Sequence, residues 1–435
     1  MQPASYPKVA LLTNCSINDL DAHGALLRNY FHEWPKERLG HIFQERLAGS
    51  SDFCGHEYML GAEDRHFGAI YARLKHSPLG AAARRQHLQA DKPSRLKAVL
   101  RRIAYSLGRQ MLESGLWEFV FAPKVSSHLA EWMESFAPEV VYVQGYSLFY
   151  VRLALQLHRR FSTRICVHIL DDWPGNLYLD SPFAFLIRPV VRHYFKALAR
   201  SSALRICIGP DMRDEYKARY GLEFVPLLNC DEISRYLDAP AHRTELPGVI
   251  SVVYSGSIGV GRWKSLIDVC EVAETLRKSG LNIHVTAYVP DIPPDVYAEL
   301  QLLKPVLTIA NSLKDSEVPG TLKGADILLL VESFDERYKR AVRLSIATKA
   351  HLYMMAQKPI LVYGPADVGV VRYAQRDGWA CVATSKPDLE EVMRSLAVDT
   401  EEADEVVATA YEVAMKNHSA TSVRGNFAQL MRGVF

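Results

Sequence analysis

Short runs of aliphatic and β-branched residues alternate with segments of helical period from one end of the chain to the other. In the first half these runs are "KVALLTN" (8–14), "HIFQERL" (41–47), "EVVYVQG" (139–145), "TRICVHIL" (163–170), "LRICIG" (204–209) and "FVPLLN" (224–229). In the second they are "VISVVYSGS" (249–257), "NIHVTAYV" (282–289), "LTIAN" (307–311), "DILLLVES" (326–333), "PILVYGP" (359–365) and "ACVATS" (380–385). Strands separated by helix-length segments predict parallel sheets covered by helices. Between the two series lies "DEISRYLDAPAHRTELPGV" (231–249), polar, with two prolines and no clear period, which reads as a linker. The expectation is therefore two α/β domains, 1–230 and 249–417, joined by 231–248. In the stretch 418–435, Val423, Phe427, Leu430, Met431 and Val434 fall at helical spacing and predict a helix packing back on the first domain.

Length agrees with two cores, since 435 residues exceed what one ordinary core holds. With 49% apolar and 23% charged residues and a formal charge of +2, the chain is globular and is neither disordered nor a nucleic-acid-coating protein. Its seven cysteines are scattered without a C-x-x-C pair, and they read as small buried hydrophobes in a reducing cytosol. The start "MQPASYPKVALLTN" has no signal-peptide pattern, and no apolar run approaches the roughly 18–20 residues of a membrane span. A cytoplasmic enzyme or binding protein is expected.

Two α/β domains in tandem imply a cleft, and ligands of open α/β sheets bind beyond the carboxyl ends of the strands. After "VISVVYSGS", Gly256, Gly259 and Gly261 form a loop that can approach a ligand closely, and Arg262 opens the next helix. That arrangement suits a phosphate, although a plain structural turn would use the same glycines. After "DILLLVES" comes "FDERYKRAVR" and then "LSIATKAHLYMMAQKPILVYGP" (344–365). Ser345 and Thr348 can cap helix N–H groups there. Lys349 in a first turn opposes the helix dipole by a few tenths of a kcal/mol unless an anion lies between them. Gly364 closes the next strand at the same edge, and Glu332 ends "DILLLVE", free to meet a sugar or ribose or to anchor the loop by a salt bridge. Two cations from separate βα units suggest a diphosphate.

The order of "SGSIGVGR", "ADILLLVES" and "SIATKAHLYMMAQKPILVYGP" resembles the donor domain of GT-B glycosyltransferases, the group-1 type of bacterial surface polysaccharide synthesis. Ser345, Lys349, Tyr353, Met354, Lys358 and Pro359 match its pattern, and "LLTNCSINDLDAHGALLRNYFHEWP", "HILDDWP" and "ISRYLD" fall in the family's order in the first half. The resemblance covers roughly 8–235 and 248–400. It implies an α/β fold of two Rossmann-like (GT-B) domains with parallel sheets facing a cleft. It implies a hexosyltransferase, retention slightly favoured, working on a UDP- or GDP-linked donor without metal or cofactor. Arg262 and Lys349 would stabilise the leaving diphosphate. The family often has a ribose-binding Glu where this chain has Leu352, with His351 beside it, and its second basic residue is absent, Lys264 lying only two places after Arg262. A sugar-nucleotide epimerase of the same fold, an inactive GT-B partner and a ligand-binding protein are the rival readings.

On the acceptor side, "VHILDDWPGN" ends a strand in Asp171 and Asp172. Adjacent carboxylates repel, so one can carry a raised pKa and act as a base; equally, one can cap the next helix while the other faces solvent. A metal site is a weaker reading, because no third ligand has a suitable spacing. Gly24, ahead of an apolar-striped helix, lets the chain pass close to a donor phosphate, or Asp21 or His23 is simply that helix's N-cap. In 83–111, a basic run including Arg95, Lys97, Arg101 and Arg102 has Leu96, Val99, Leu100, Ile103 and Leu107 at helical spacing. It reads as a helix on the cytoplasmic face of an inner membrane, where lipid-linked acceptors are met, or as a solvated face. The implied partners are a nucleotide-sugar, a glycan or lipid-linked acceptor and that membrane surface, with no nucleic acid.

Overall fold

The computed structural model describes residues 6–18, 22–47, 49, 52–75, 113–243, 248–290 and 292–434. Among them, the first sheet contains β1 (Val9–Leu12), β2 (Leu39–Phe43), β3 (His56–Met59), β4 (Val140–Val143), β5 (Arg164–Ile169), β6 (Ser202–Cys207) and β7 (Val225–Pro226), in the order β3-β2-β1-β4-β5-β6-β7. The second contains β8 (Ile250–Ser255), β9 (Ile283–Val289), β10 (Leu307–Asn311), β11 (Ile327–Val331), β12 (Ile360–Tyr363) and β13 (Cys381–Ala383), in the order β10-β9-β8-β11-β12-β13. Every pairing is parallel. In each sheet the first strand is central: the chain works outward to one side and then crosses back to the other. The reversal leaves a crevice past the ends of β1 and β4, and another past β8 and β11.

The central strands β1, β4, β11 and β12 are buried along their whole length. The edge strand β3, "HEYM", is largely exposed and has no apolar pattern of its own. It exists because β2 templates it, in the register Gly40↔His56 to Phe43↔Met59, and this is why the sequence reading passes over it. Each sheet is packed on both faces: Leu12, Val143, Leu153 and Phe195 share a core on one side of the first sheet, and Leu11, Phe31, Tyr142 and Phe427 on the other. Of the seven cysteines, all are free; Cys54, Cys166, Cys207, Cys230 and Cys270 are buried.

The second core of the first sheet includes the distant helix Ala420–Arg432, whose Val423, Phe427, Ala428 and Met431 join Leu27, Tyr30, Phe31 and Trp34. Phe427 stacks on Tyr30 at 5.2 Å and meets Phe31 edge-on at 4.9 Å. To get there the chain crosses back beside its first crossing. Asp231 N–H donates to His418 O at 3.2 Å, and Ala420 N–H donates to Asp231 O at 3.1 Å. Within the expected linker, Ser234–Leu237 is a helical turn whose Arg235 is paired with Asp231 at 2.8 Å and with Asp315 at 2.8 Å.

Candidate active site between the two sheets

Four loops at carboxyl ends of strands build the site. The β8 exit turns through Gly256 (φ 136°) and Gly261 (φ 77°), both in the left-handed half of the map, and delivers Arg262 as the first residue of the helix Arg262–Lys278. Gly259 lies between them, its N–H bonded to Ser257 Oγ at 3.1 Å. The β11 exit delivers Glu332, and the β12 exit brings Gly364, at which a Cβ would lie 3.0 Å from that of Glu332. The β5 exit delivers Asp171 and Asp172.

Arg262 is bound to Glu332 by two parallel bonds, Nε–Oε2 and Nη2–Oε1, each 3.0 Å. Glu332 is 2% exposed, and Ser265 Oγ donates to its backbone O at 2.7 Å. Of the two sequence options for Glu332, the geometry is therefore that of the salt bridge, a fork-to-carboxylate pair. Lys349 lies with Nζ 3.7 Å from the centre of the Tyr254 ring. Among the described residues no carboxylate comes within salt-bridge distance of that ammonium. Loss of hydration, then repulsion from Arg262, holds its pKa well below the usual lysine range, with Glu332 pulling the other way.

The geometry bears on three sequence readings here, and Asp172 follows the capping one that the sequence left open. The helix behind Lys349 is Ala350–Met355, with Lys349 itself at the N-cap and no side-chain cap. Ser345 lies too far upstream to cap it and instead donates to Asp171 Oδ1 at 2.6 Å, across from one half of the chain to the other; Thr348 is exposed. Second, Asp172 is not a free member of a carboxylate pair. It caps Trp173–Asn176 through Gly175 N–H at 3.2 Å, and takes Tyr216 OH at 2.9 Å and Arg219 Nη1 at 2.8 Å and 3.0 Å. Third, the raised pKa of Asp171 arises chiefly from lost hydration, opposed by the Ser345 bond and by Arg262, and not from Asp172.

His351 stacks on His418 at 5.5 Å, and both are buried and neutral at physiological pH. Gly24 is inside the helix Ala22–Tyr30, where a Cβ would collide with Asn18 O; its role in the fold is to let that helix close on the preceding loop. Asp21, Arg95, Lys97, Arg101 and Arg102 lie outside the described residues. Asn229, Lys314, Thr348, Lys349, His351 and Leu352 share a cavity of about 300 Å³ that also reaches Arg28. Among the described residues no group of three or more His, Cys, Asp or Glu is placed to hold a metal, and no helix is long and apolar enough to cross a membrane.

Sequence reasoning misses Tyr254, which reads only as a strand residue, and Arg219, which lies 47 residues from Asp172 with nothing local tying the two together. The Lys349–Tyr254 contact carries a testable consequence at Gly256. A Cβ there would stand 2.8 Å from Lys349 Nζ, on a backbone with φ 136°. Gly256→Ala should destabilise the fold by about 1–3 kcal/mol and displace the ammonium. Thermal melts and nucleotide titration of the variant would show both effects; unchanged binding would remove Gly256 from the site.

No protein-family model matches the sequence, and no curated protein matches it. Solved structures do. The chain superposes on Anabaena Alr3699/HepE, solved with UDP and glucose, with a TM-score of 0.63 at 11% identity, over 98% of this chain and 100% of that one. For sucrose-phosphate synthase of Thermosynechococcus elongatus the TM-score is 0.62 at 10% identity, over 98% of each chain. The chain has the GT-B fold. WaaG, a glycosyltransferase involved in lipopolysaccharide biosynthesis, gives a TM-score of 0.55 at 14% identity, over 98% of this chain and 100% of that one. At such identities the likeness carries the fold alone, and the chemistry of this GT-B protein has to be argued from its own residues.

Proposed function

We propose that this GT-B protein is a glycosyltransferase that moves a sugar from a nucleotide-sugar, UDP- or GDP-linked, to a glycan or lipid-linked acceptor in polysaccharide synthesis. It works without a metal, at the cytoplasmic face of a membrane. The observation that carries the reading is the convergence of Arg262 and Lys349. One cation is held by Glu332, and among the described residues the other has no carboxylate within salt-bridge distance, Glu332 attracting it only from farther off. Two like charges brought together under poor hydration oppose folding, and a diphosphate between them relieves both the repulsion and the lost hydration. When the sugar leaves, negative charge grows on that diphosphate, and fixed cations stabilise it without reorganising. Unlike Asp172 and Glu332, Asp171 is not locked into an arginine pair, and its carboxyl opens into the cleft. It is the group placed to accept a proton from an acceptor hydroxyl in an inverting course, or to orient the acceptor in a retaining one.

Calorimetric titration with UDP, GDP, ADP and dTDP tests the seat. One nucleotide should bind, and Arg262→Ala and Lys349→Ala should each weaken it by about 2–3 kcal/mol, or ~30- to 150-fold. Failure of every nucleotide to bind, or variants that bind like the wild type, would sink the donor assignment and favour an inactive GT-B partner protein.

Lys349 adds a proton signature. Its pKa is depressed in the free protein, and an adjacent diphosphate raises it, so binding takes up a proton wherever the pH lies between the two values. Affinity should be full below the free-protein pKa and fall by as much as about tenfold per pH unit above it. Titrations in two buffers of different ionisation enthalpy would measure the uptake, which Lys349→Arg should abolish.

A further inference from the structure

A second cavity, of about 550 Å³, opens beside Asp172. Arg188, Arg192 and Lys196 reach it from the helix Ala184–Ser201, Arg219 from the helix Pro210–Tyr220, and Arg340 and Arg343 from the second half of the chain. Among the described residues, six cations thus line it against a single carboxylate, Asp172.

Three of the six have counter-ions. Arg219 is paired with Asp172 at 2.8 Å and Glu215 at 2.7 Å, Arg340 with Asp180 at 3.1 Å, and Arg343 with Glu215 at 3.2 Å. Among the described residues the other three have none within salt-bridge distance. There Arg188 donates only to the backbone oxygens of Leu177 at 3.2 Å and Gly175 at 2.8 Å, with Asp172 attracting it from farther off. Neither Arg192 nor Lys196 has a hydrogen-bond or ion-pair partner among the described residues. These three recur every fourth residue along one helix, so they form a single row of like charge, which weakens a helix. Loss of hydration, and then the charges of Arg192 and Arg219, lower the guanidinium pKa of Arg188. An unpaired row of this kind is unfavourable within the fold and becomes favourable against a polyanion. The cavity is too roomy for one small ion and has the size of a small-molecule site.

Its position matters as much as its charge. Asp172 is in its wall, and the adjoining residue, Asp171, about 3.8 Å away along the backbone, faces Ser345 and the charge of Arg262. The cavity wall at Asp172 is therefore one residue along the chain from Asp171, which feels the charge of Arg262.

We propose that the cavity is an acceptor subsite for a phosphate or diphosphate group, so that the acceptor is a phosphorylated sugar or a lipid-linked diphosphate and not a neutral glycan. The proposal rests on the transferase reading above for the word acceptor, and on the cavity alone for the anion.

Inorganic pyrophosphate, titrated calorimetrically into the full chain, is the probe. The wild type should show two classes of site, one lost in Lys349→Met and the other weakened tenfold or more in Arg192→Ala/Lys196→Ala. Arg192 is exposed and Lys196 half-buried, and a melting curve would confirm that this double variant is folded. If it binds pyrophosphate as the wild type does, the subsite is overturned, whatever happens at Lys349. If Lys349→Met alone changes nothing while the Arg192/Lys196 class is lost, the donor reading fails and the anion site stands. Competitors then identify the source. Displacement by glucose 6-phosphate indicates a free sugar phosphate, and displacement by a polyprenyl diphosphate in detergent micelles indicates a lipid-linked one. Displacement by neither overturns the acceptor assignment.

Discussion

Arg262→Ala should lose stability and transfer together, and a second substitution should separate the two losses. Glu332 is 2% exposed and takes both bonds from Arg262. Removing one partner of such a buried pair leaves an uncompensated charge and destabilises by about 3–5 kcal/mol, whereas replacing both partners by neutral groups of similar size is often close to neutral. Arg262→Met/Glu332→Gln should therefore unfold in urea near the wild-type midpoint, well above Arg262→Ala. Transfer should not recover. A fixed donor aimed at developing charge contributes on the order of 10²–10³ in kcat, and methionine supplies none. A stable Arg262→Ala would mean that the pair is not buried as described. A double variant with wild-type turnover would remove Arg262 from the chemistry.

Acidification should unfold the protein well above the pH at which its carboxylates protonate. His41, His168 and His418 are each no more than 1% exposed. Burial, aided at His41 and His168 by the charge of His23, lowers the first two to about 3; burial lowers His418 to about 4 against the bond to Asn229 O. In the unfolded chain each titrates near 6.5. Stability is then complete above 6.5 and is lost as pH falls below it, because the unfolded state gains protons that the folded state does not. The loss continues until the folded-state values are reached. These three groups alone give a slope of about 4 kcal/mol per pH unit, or ~6 kcal/mol by pH 5, comparable with the whole stability of many domains, and the buried His351 acts in the same direction. Urea unfolding at pH 8, 7, 6 and 5 measures it, and His41→Gln should flatten the slope by about a quarter to a third. A midpoint that does not move between pH 7 and 5 would contradict three buried neutral histidines.

Much of this fold is legible in the sequence because parallel strands buried on both faces are written as short aliphatic runs. β1, β4, β11 and β12 are of that kind, and it is past the ends of β8 and β11 that Gly256, Arg262, Glu332 and Lys349 come together. What the sequence hides is set by partners distant along the chain. β3 takes its conformation from β2. Asp172 is occupied by Arg219, and Ser345 by Asp171, 174 residues away. The neutrality of His351 depends on burial beside His418, which arrives only when the chain crosses back. Local pattern fixes which side chains reach the cleft, and tertiary pairing decides which of them remain free to act.

The helix that covers the first sheet is also among the last parts of the molecule to be made. Leu27, Phe31 and Trp34 share a core with Phe427 and Met431, so that face of the first domain stays bare while about 200 further residues leave the ribosome. At 5–20 residues per second that interval is ~10–40 s. The usual order of synthesis, in which an N-terminal domain is finished before the next begins, is therefore denied to this chain. Its nascent first half is expected to be a client of chaperones, and a stop codon anywhere before Ala420 leaves the first domain uncovered however intact its own sequence.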